Sequence, residues 1–165
     1  MSEIDVPEIL RVLVMLSLAN GTPVLAKKLL GRWLDQPLDG GLQWRDGRWL
    51  FGPSKTVRGV VASVVACTLG ALFLRIDLLV GAAFGLAAMA GDLSSSFVKR
   101  RLGIAPSARA IGLDHIPEAL LPTLLASRVL SLDILEIAIS VSVFWLGSVW
   151  LSPVFYRIGL RDRPH

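Results

Sequence analysis

Residues 57–90 read VRGVVASVVACTLGALFLRIDLLVGAAFGLAAMA, two apolar blocks separated only by Arg75, Ile76 and Asp77. An α-helix rises about 1.5 Å per residue, so a block of about 18 residues spans about 27 Å, close to the hydrocarbon thickness of a bilayer. Apolar runs of this length are typical of membrane spans rather than of amphipathic soluble helices. The stretch therefore predicts two antiparallel transmembrane helices joined by a tight polar turn.

The same pattern recurs on both sides of this stretch. The chain has 165 residues, of which 53% are hydrophobic and 18% charged, and its mean hydropathy is +0.63. Further apolar blocks occupy 6–26, 116–130 and 132–156, and the block at 76–90 continues as a polar helix through GDLSSSFVKR at 91–100. We expect an all-α polytopic membrane helix bundle of about five transmembrane helices, forming one domain over residues 1–165.

The distribution of basic residues predicts the orientation of these spans. Fourteen of the 17 lysines and arginines fall in the segments 27–58, 99–109 and 157–163, which five spans would place on one side. Because positive charge is retained on the cytoplasmic side, the N-terminus is predicted outside and the C-terminus inside. The two long polar loops, 27–56 and 98–115, would then face the cytoplasm. We therefore expect an integral protein of the cell (inner) membrane whose active site faces the cytoplasm.

The first of these loops ends in a turn, GPSKT at 52–56, that is suited to phosphate. Glycine allows close backbone approach, Ser54 and Thr56 offer hydroxyl donors, and Lys55 and Arg58 supply positive charge at the start of the following helix. The spacing of a Walker A motif is absent, so a P-loop nucleotidase is not indicated. A basic turn that only touches lipid headgroups is the alternative for this motif.

The polar extension of the third span provides carboxylate and further positive charge. Asp92, Ser95, Ser96 and Lys99 are spaced so that they share one helical face. A carboxylate near the membrane needs a partner, and Asp92 could hold Mg²⁺ or form an ion pair with Lys99 or an arginine. Asp114 could be a second metal ligand, or it could cap the fourth span.

Together the two loops favour a nucleoside triphosphate with Mg²⁺, or a lipid phosphate that enters from the bilayer. Nucleic acid is disfavoured because the basic residues are confined to loops close to the membrane. A small transporter is disfavoured because the spans lack deep charges and inverted repeats. Asn20, near the end of the first span, could contact substrate or cap a carbonyl freed by Pro23. Non-catalytic binding of anionic lipid through the basic face is the remaining alternative.

Three segments resemble the CDP-archaeol synthase family, a branch of the membrane cytidylyltransferases that includes phosphatidate cytidylyltransferase. They are ANGTPVL at 19–25, PLDGGLQWRDGRWLFGPSKTVRG at 37–59, and GDLSSSFVKRRLGI at 91–104 followed by LDHIPE at 113–118. The resemblance implies a five-helix membrane bundle that transfers CMP from CTP to a lipid phosphate, either archaetidic acid or phosphatidic acid, with Mg²⁺ and release of pyrophosphate.

The resemblance also implies site residues. Its first motif matches Asn20, Asp39, Gly52, Lys55, Thr56 and Arg58, its second matches Gly91, Asp92, Ser96, Lys99, Arg100 and Arg101, and its third begins at Asp114. We expect Asp92, Lys55 and Lys99 to be catalytic and Asp92 with Asp114 to bind metal, while Ser54 and Ser95 would add hydroxyl donors. The family pattern has glutamine after this last aspartate and a second aspartate three positions on. Here those positions are His115 and Pro117, and Glu118 follows.

Overall fold

The computed structural model describes residues 4–106, 108, 110 and 112–157, and it is built from five helices. They are α1 (Val6–Leu30), α2 (Val57–Leu74), α3 (Leu78–Arg101), α4 (Ile116–Leu130) and α5 (Ile134–Arg157). Two isolated β-bridges, Pro37 with Thr56 and Gln43 with Trp49, are the only extended pairings in these ranges. The predicted all-α bundle is confirmed. The predicted orientation of the termini stays a prediction, and Arg109, Arg161 and Arg163, which contributed to it, lie outside the described residues.

Four of the helices in the described ranges, α1, α2, α3 and α5, are long and apolar enough to cross a membrane. The 15 residues of α4 correspond to about 22 Å, which is shorter than a full span. The bounds of α2 and α4 agree with the sequence prediction. Helix α1 continues four residues beyond its predicted end, because Pro23 is accommodated inside the helix and Lys27 and Lys28 complement the dipole at its last turn.

The turn between α2 and α3 forms where the sequence predicts it. Arg75 adopts a left-handed conformation with φ of 56°, and the Asp77 carboxylate accepts hydrogen bonds from the N–H groups of Leu79 (2.8 Å) and Val80 (3.3 Å). This N-cap satisfies amides that have no helical partner, so α3 begins at Leu78 and not at Ile76.

Small residues allow α3 to pack closely on both of its neighbours. A Cβ on Gly85 would lie 2.9 Å from the Ser63 carbonyl oxygen of α2, and a Cβ on Gly91 would lie 2.2 Å from the Pro117 carbonyl oxygen of α4. Glycine at such positions lets helix backbones approach closely in membranes. Helix α3 contacts α1, α2 and α4, whereas α5 packs against only α1 and α4 within the described structure. The core between α1, α2 and α3 contains Val12, Met15, Leu16, Cys67 and Phe84.

Candidate active site

A polar cavity of about 980 Å³ lies at the end of the bundle where α2 and α4 begin and α1 and α3 end. Its walls come from α1, the α1–α2 loop (residues 31–56), the first turn of α2, α3, the start of α4, and α5. The cavity brings together most of the residues predicted from sequence: Asn20, Ser54, Lys55, Thr56, Arg58, Asp92, Ser96, Lys99, Arg100 and Asp114. Five predicted residues, Asp39, Gly52, Gly91, Ser95 and Arg101, do not line it.

An ion pair between Lys55 and Asp92 joins the α1–α2 loop to α3. The Lys55 ammonium lies 2.6 Å from each carboxylate oxygen of Asp92, and both side chains are about three-quarters buried. The alternative partners considered from sequence, Lys99 or an arginine, are therefore wrong for Asp92. Both oxygens of the Asp92 carboxylate face the same point, which the Lys55 ammonium occupies. A metal cation could replace the ammonium at that point, because a carboxylate can accept from both of its oxygens.

A second ion pair joins α3 to the segment that precedes α4. The buried Lys99 ammonium lies 2.6 Å from Asp114 and also donates to the carbonyl of Ala108. The other oxygen of Asp114 accepts a hydrogen bond from the Ala110 N–H at 2.7 Å. The N-cap position of α4 is His115, which makes no side-chain capping bond. The alternative role of Asp114 as a helix cap is therefore wrong, and its carboxylate faces the cavity instead.

Arg100 carries buried donors that the protein leaves unsatisfied. Only 5% of this residue is exposed; its Nη2 donates to the Ala105 carbonyl at 3.0 Å, but Nε and Nη1 have no partner among the described residues. Nη1 lies 3.9 Å from the position that a Cβ of Gly52 would occupy, beside the GPSKT turn. Gly52 has φ of 99°, which strongly favours glycine. Burying a charge with unpaired donors is costly unless a ligand pairs them, so this geometry fits an anion.

Arg58 is held by the protein itself. Its Nη1 donates to the carbonyls of Gly31 and Trp33, and its Nη2 pairs with Asp35 at 2.6 Å. The guanidinium therefore holds the α1–α2 loop against the start of α2. Phosphate contact by Arg58, which the sequence suggested, stays a prediction.

Asp39 has a comparable structural role behind the GPSKT turn. The buried carboxylate accepts hydrogen bonds from the N–H groups of Phe51 (2.9 Å), Gly52 (3.0 Å) and Gly41 (3.1 Å). Burial by itself raises the pKa of Asp39, but these backbone donors outweigh it and hold the pKa below its ordinary value of 3.8. Asp39 thus shapes the turn without facing the cavity.

The remaining predicted residues divide between wall and scaffold. Arg101 points away from the cavity, where it pairs with Asp46 at 2.7 Å and donates to the Trp49 carbonyl at 2.6 Å. Ser95 is buried and donates to the Gly91 carbonyl at 3.0 Å. Thr56 is the N-cap of α2 and accepts from the N–H of Gly59, so the start of α2 opens on the cavity.

Asn20 lines the cavity, and its amide donates to the Leu16 carbonyl at 3.0 Å. Pro23 cannot donate to the carbonyl four residues earlier, which is that of Ala19. The suggestion that Asn20 caps the carbonyl freed by Pro23 is therefore wrong.

The structure adds two residues that the sequence analysis did not place in the site. Glu118 and His115 line the cavity, and His115 Nδ1 lies 2.9 Å from the Glu118 carboxylate. The close contact between Gly91 and Pro117 brings the start of α4 beside Asp92. The available signal was the short distance along the chain between Asp114 and Glu118, which keeps two carboxylates close to the start of α4.

The cavity offers carboxylates to a divalent cation without forming a protein cage. Nowhere in the described ranges do three histidine, cysteine, aspartate or glutamate side chains gather as a metal site. Asp92, Asp114 and Glu118 instead line the same cavity from different elements. Mg²⁺ is commonly held by one or two carboxylates together with substrate phosphates and water, and these hard oxygen donors fit that mode of binding.

Comparison with known proteins gives a consistent result. A family model described as CarS-like, CDP-archaeol synthase, matches residues 71–165. The CDP-archaeol synthase of Thermococcus onnurineus is 34% identical over 161 residues, covering 88% of this chain and 89% of that protein. The CDP-archaeol synthase of Sulfurisphaera tokodaii is 36% identical over 152 residues, covering 88% of each. A solved structure, described as "Structural insight into an intramembrane enzyme for archaeal membrane lipids biosynthesis", is 29% identical and superposes with a TM-score of 0.67, covering 83% of this chain and 87% of that one.

Proposed function

This chain belongs to the CDP-archaeol synthase family, and from that premise we propose that its cavity is where CTP and a lipid phosphate react. The chain is a CTP-dependent cytidylyltransferase that converts archaetidic acid and CTP to CDP-archaeol and pyrophosphate. An oxygen of the lipid phosphate bonds to the α-phosphorus of CTP, and the bond from that phosphorus to the bridging oxygen breaks. Non-catalytic binding of anionic lipid is the less favoured reading, because these relatives are enzymes.

The observation that carries the assignment of the site is the set of cations in the cavity. Arg100 is buried with two nitrogens that no described residue pairs, and Lys55 and Lys99 lie in the same cavity, where Lys55 pairs with Asp92 and Lys99 with Asp114. A triphosphate provides the anionic oxygens that such donors need, and charge neutralisation at phosphorus lowers the barrier to transfer. The hydroxyls of Ser54 and Ser96, together with the start of α2, add neutral donors at the same place.

Lys55 and Asp92 would act as an exchangeable pair. Lys55 has three N–H donors, of which the Asp92 carboxylate uses part in the structure described here. A phosphate oxygen would compete for the ammonium, and Asp92 would then have oxygens available for a divalent cation, with Asp114 or Glu118 as the second carboxylate. When bound, Mg²⁺ would neutralise charge on the triphosphate. Lys99, held by Asp114, would keep its ammonium beside the reacting phosphates.

The protein is an integral membrane protein, and the cavity would face the cytoplasm, where CTP is available. The positive residues of the α1–α2 loop and of the end of α3 support this orientation through the positive-inside rule.

The test is pyrophosphate release by purified protein in detergent, with CTP, Mg²⁺ and archaetidic acid. Asp92→Asn is expected to reduce kcat by at least about 100-fold, since it removes charge from the reacting centre. Arg100→Gln is expected to raise KM for CTP by about tenfold or more, the cost of a charged hydrogen bond. Arg101→Gln is the matched control, because the neighbouring guanidinium points away from the cavity. Equal effects of the two arginine substitutions would contradict the proposed triphosphate site. Replacing Mg²⁺ by Mn²⁺ or Ca²⁺ in the same assay tests the choice of cation.

A further inference from the structure

One wall of the cavity is formed by a helix that packs weakly on the rest of the bundle. The early part of α5 contains the buried residues Glu136 and Ser140, but none of the residues 141–151 is buried. Nevertheless Ser148, Val149 and Ser152, in the later half of α5, line the cavity. Residues 141–151 therefore line the cavity or face outward without a buried side chain, whereas Ser152, only 6% exposed, is packed.

The opposite edge of this space is α1. Asn20, Pro23, Val24 and Lys27 line the cavity from the last turns of α1, together with the following residue, Lys28. The other ends of α1 and α5 are joined, because the Asp5 N–H donates to Glu136 at 2.7 Å. Glu136 also accepts from the Asp133 N–H at 2.9 Å, which fixes the start of α5. The two helices are thus fastened at one end and separated by the cavity at the other.

We propose that the lipid acceptor enters the cavity from the bilayer between the cavity-lining halves of α1 and α5. This inference rests on the proposed function. A lipid with two long chains cannot leave the bilayer at low cost, because every buried methylene resists transfer to water. Its phosphate must therefore reach the reacting centre sideways. The space between these two halves, called the gap below, suits a lipid phosphate, because it continues into the basic cavity and has Lys27 and Lys28 on its α1 side.

A tryptophan on the same face of α5 provides a contact for the body of the lipid. Trp145 precedes Ser148 by three residues and Ser152 by seven, so the three side chains share a helical face. Trp145 lies one turn closer to the middle of the span, and its buried Nε1 has no partner among the described residues. A buried indole N–H usually finds an acceptor. The oxygens that join the chains to the glycerol of the acceptor are acceptors only, and we assign Trp145 Nε1 to donate to one of them.

The first test narrows the gap. Val149→Trp introduces a large side chain on the cavity side of α5, whereas Leu146→Trp introduces the same side chain on the outward side, where Leu146 is 52% exposed. With archaetidic acid in mixed micelles, Val149→Trp is expected to raise KM for the lipid at least tenfold while KM for CTP changes less than twofold. Leu146→Trp is expected to leave both constants unchanged. An unchanged lipid KM in Val149→Trp, or equal rises for both substrates, would overturn the proposed path.

The second test removes only the donor. Trp145→Phe keeps an aromatic ring and is expected to raise KM for the lipid about fivefold, the loss typical of one hydrogen bond, with KM for CTP unchanged. An unchanged lipid KM would overturn the role of Trp145. Binding of CTP with Mg²⁺ to the wild-type protein, measured calorimetrically without lipid, separates the two proposals. Failure of the wild type to bind CTP would refute the nucleotide site. If Val149→Trp and Trp145→Phe were active with a normal KM for the lipid, only the proposed lipid path between α1 and α5 would be refuted.

Discussion

Substituting Gly91 by alanine tests whether the contact between α3 and α4 sets the geometry of the active site. The new Cβ would lie 2.2 Å from the Pro117 carbonyl oxygen, 2.5 Å from its carbonyl carbon and 2.7 Å from the Glu118 Cα. Ordinary contacts begin near 3.4 Å, and the opposing atoms are all backbone. The two helices must therefore separate locally by about 1 Å, because neither backbone can rotate away from the clash.

This separation has two measurable consequences. Overpacking of this kind costs about 1–3 kcal/mol of stability. It also displaces Asp92, the next residue on α3, from Glu118 on α4, and a displacement of about 1 Å at a reacting centre costs about 100-fold in rate. We therefore expect Gly91→Ala to lower kcat for cytidylyl transfer by about two orders of magnitude while the protein still folds.

Two further glycine substitutions separate these consequences. Gly85→Ala creates a milder clash with α2, 2.9 Å from the Ser63 carbonyl oxygen, and leaves the start of α4 untouched. It is expected to lower the thermal midpoint in detergent without a large loss of kcat. Gly21→Ala, inside α1, meets no atom within 4 Å; it is expected to leave kcat unchanged and to raise the thermal midpoint slightly, because alanine favours the helix more than glycine does. Pyrophosphate release and thermal unfolding of the three variants provide the comparison, and wild-type kcat in Gly91→Ala would refute the reasoning.

Three other predictions concern the residues that hold the α1–α2 loop. Asp39→Asn removes a carboxylate that accepts three hydrogen bonds from backbone N–H groups. Amide hydrogen exchange in the loop should therefore become faster, and the free energy of unfolding should fall by about 1–3 kcal/mol. Because the folded pKa of Asp39 lies below 3.8, its contribution to the stability of the α1–α2 loop is complete above the unfolded pKa and is lost as pH falls through the folded pKa. Tryptic digestion at a series of pH values should therefore show no Asp39-dependent opening of this loop above about pH 5. Arg58→Lys cannot reproduce a fork that reaches two carbonyls and Asp35, and the thermal midpoint should fall by the equivalent of about 2 kcal/mol, whereas unchanged stability would contradict the anchoring role. Asp46→Asn removes the charge from the partly exposed Arg101–Asp46 pair but keeps the bond from Arg101 to the Trp49 carbonyl; it should cost less than about 1 kcal/mol in the same melt, and a larger loss would show that the pair is worth more than its exposure suggests.

The helices were predictable because their signals are local. Apolar blocks long enough to cross a bilayer, and a proline within the first turn of α4, lie within the sequence of each helix. The start of α3 was misplaced by two residues, since the capping bonds of Asp77 decide it. The prediction of one domain over residues 1–165 stays a prediction.

The sequence by itself determined that the protein is a membrane helix bundle and which two polar segments carry its chemistry, since hydropathy and charge need only the chain. It also supplied the family resemblance that the relatives confirm. Only the tertiary structure decided how the charges pair: Asp92 with Lys55 from a distant loop, Lys99 with Asp114, and Arg58 with the loop itself. It also brought Glu118 into the cavity, through a glycine contact that no spacing reveals. Such pairings depend on distances between elements far apart in the chain, and those distances exist only once the helices have packed.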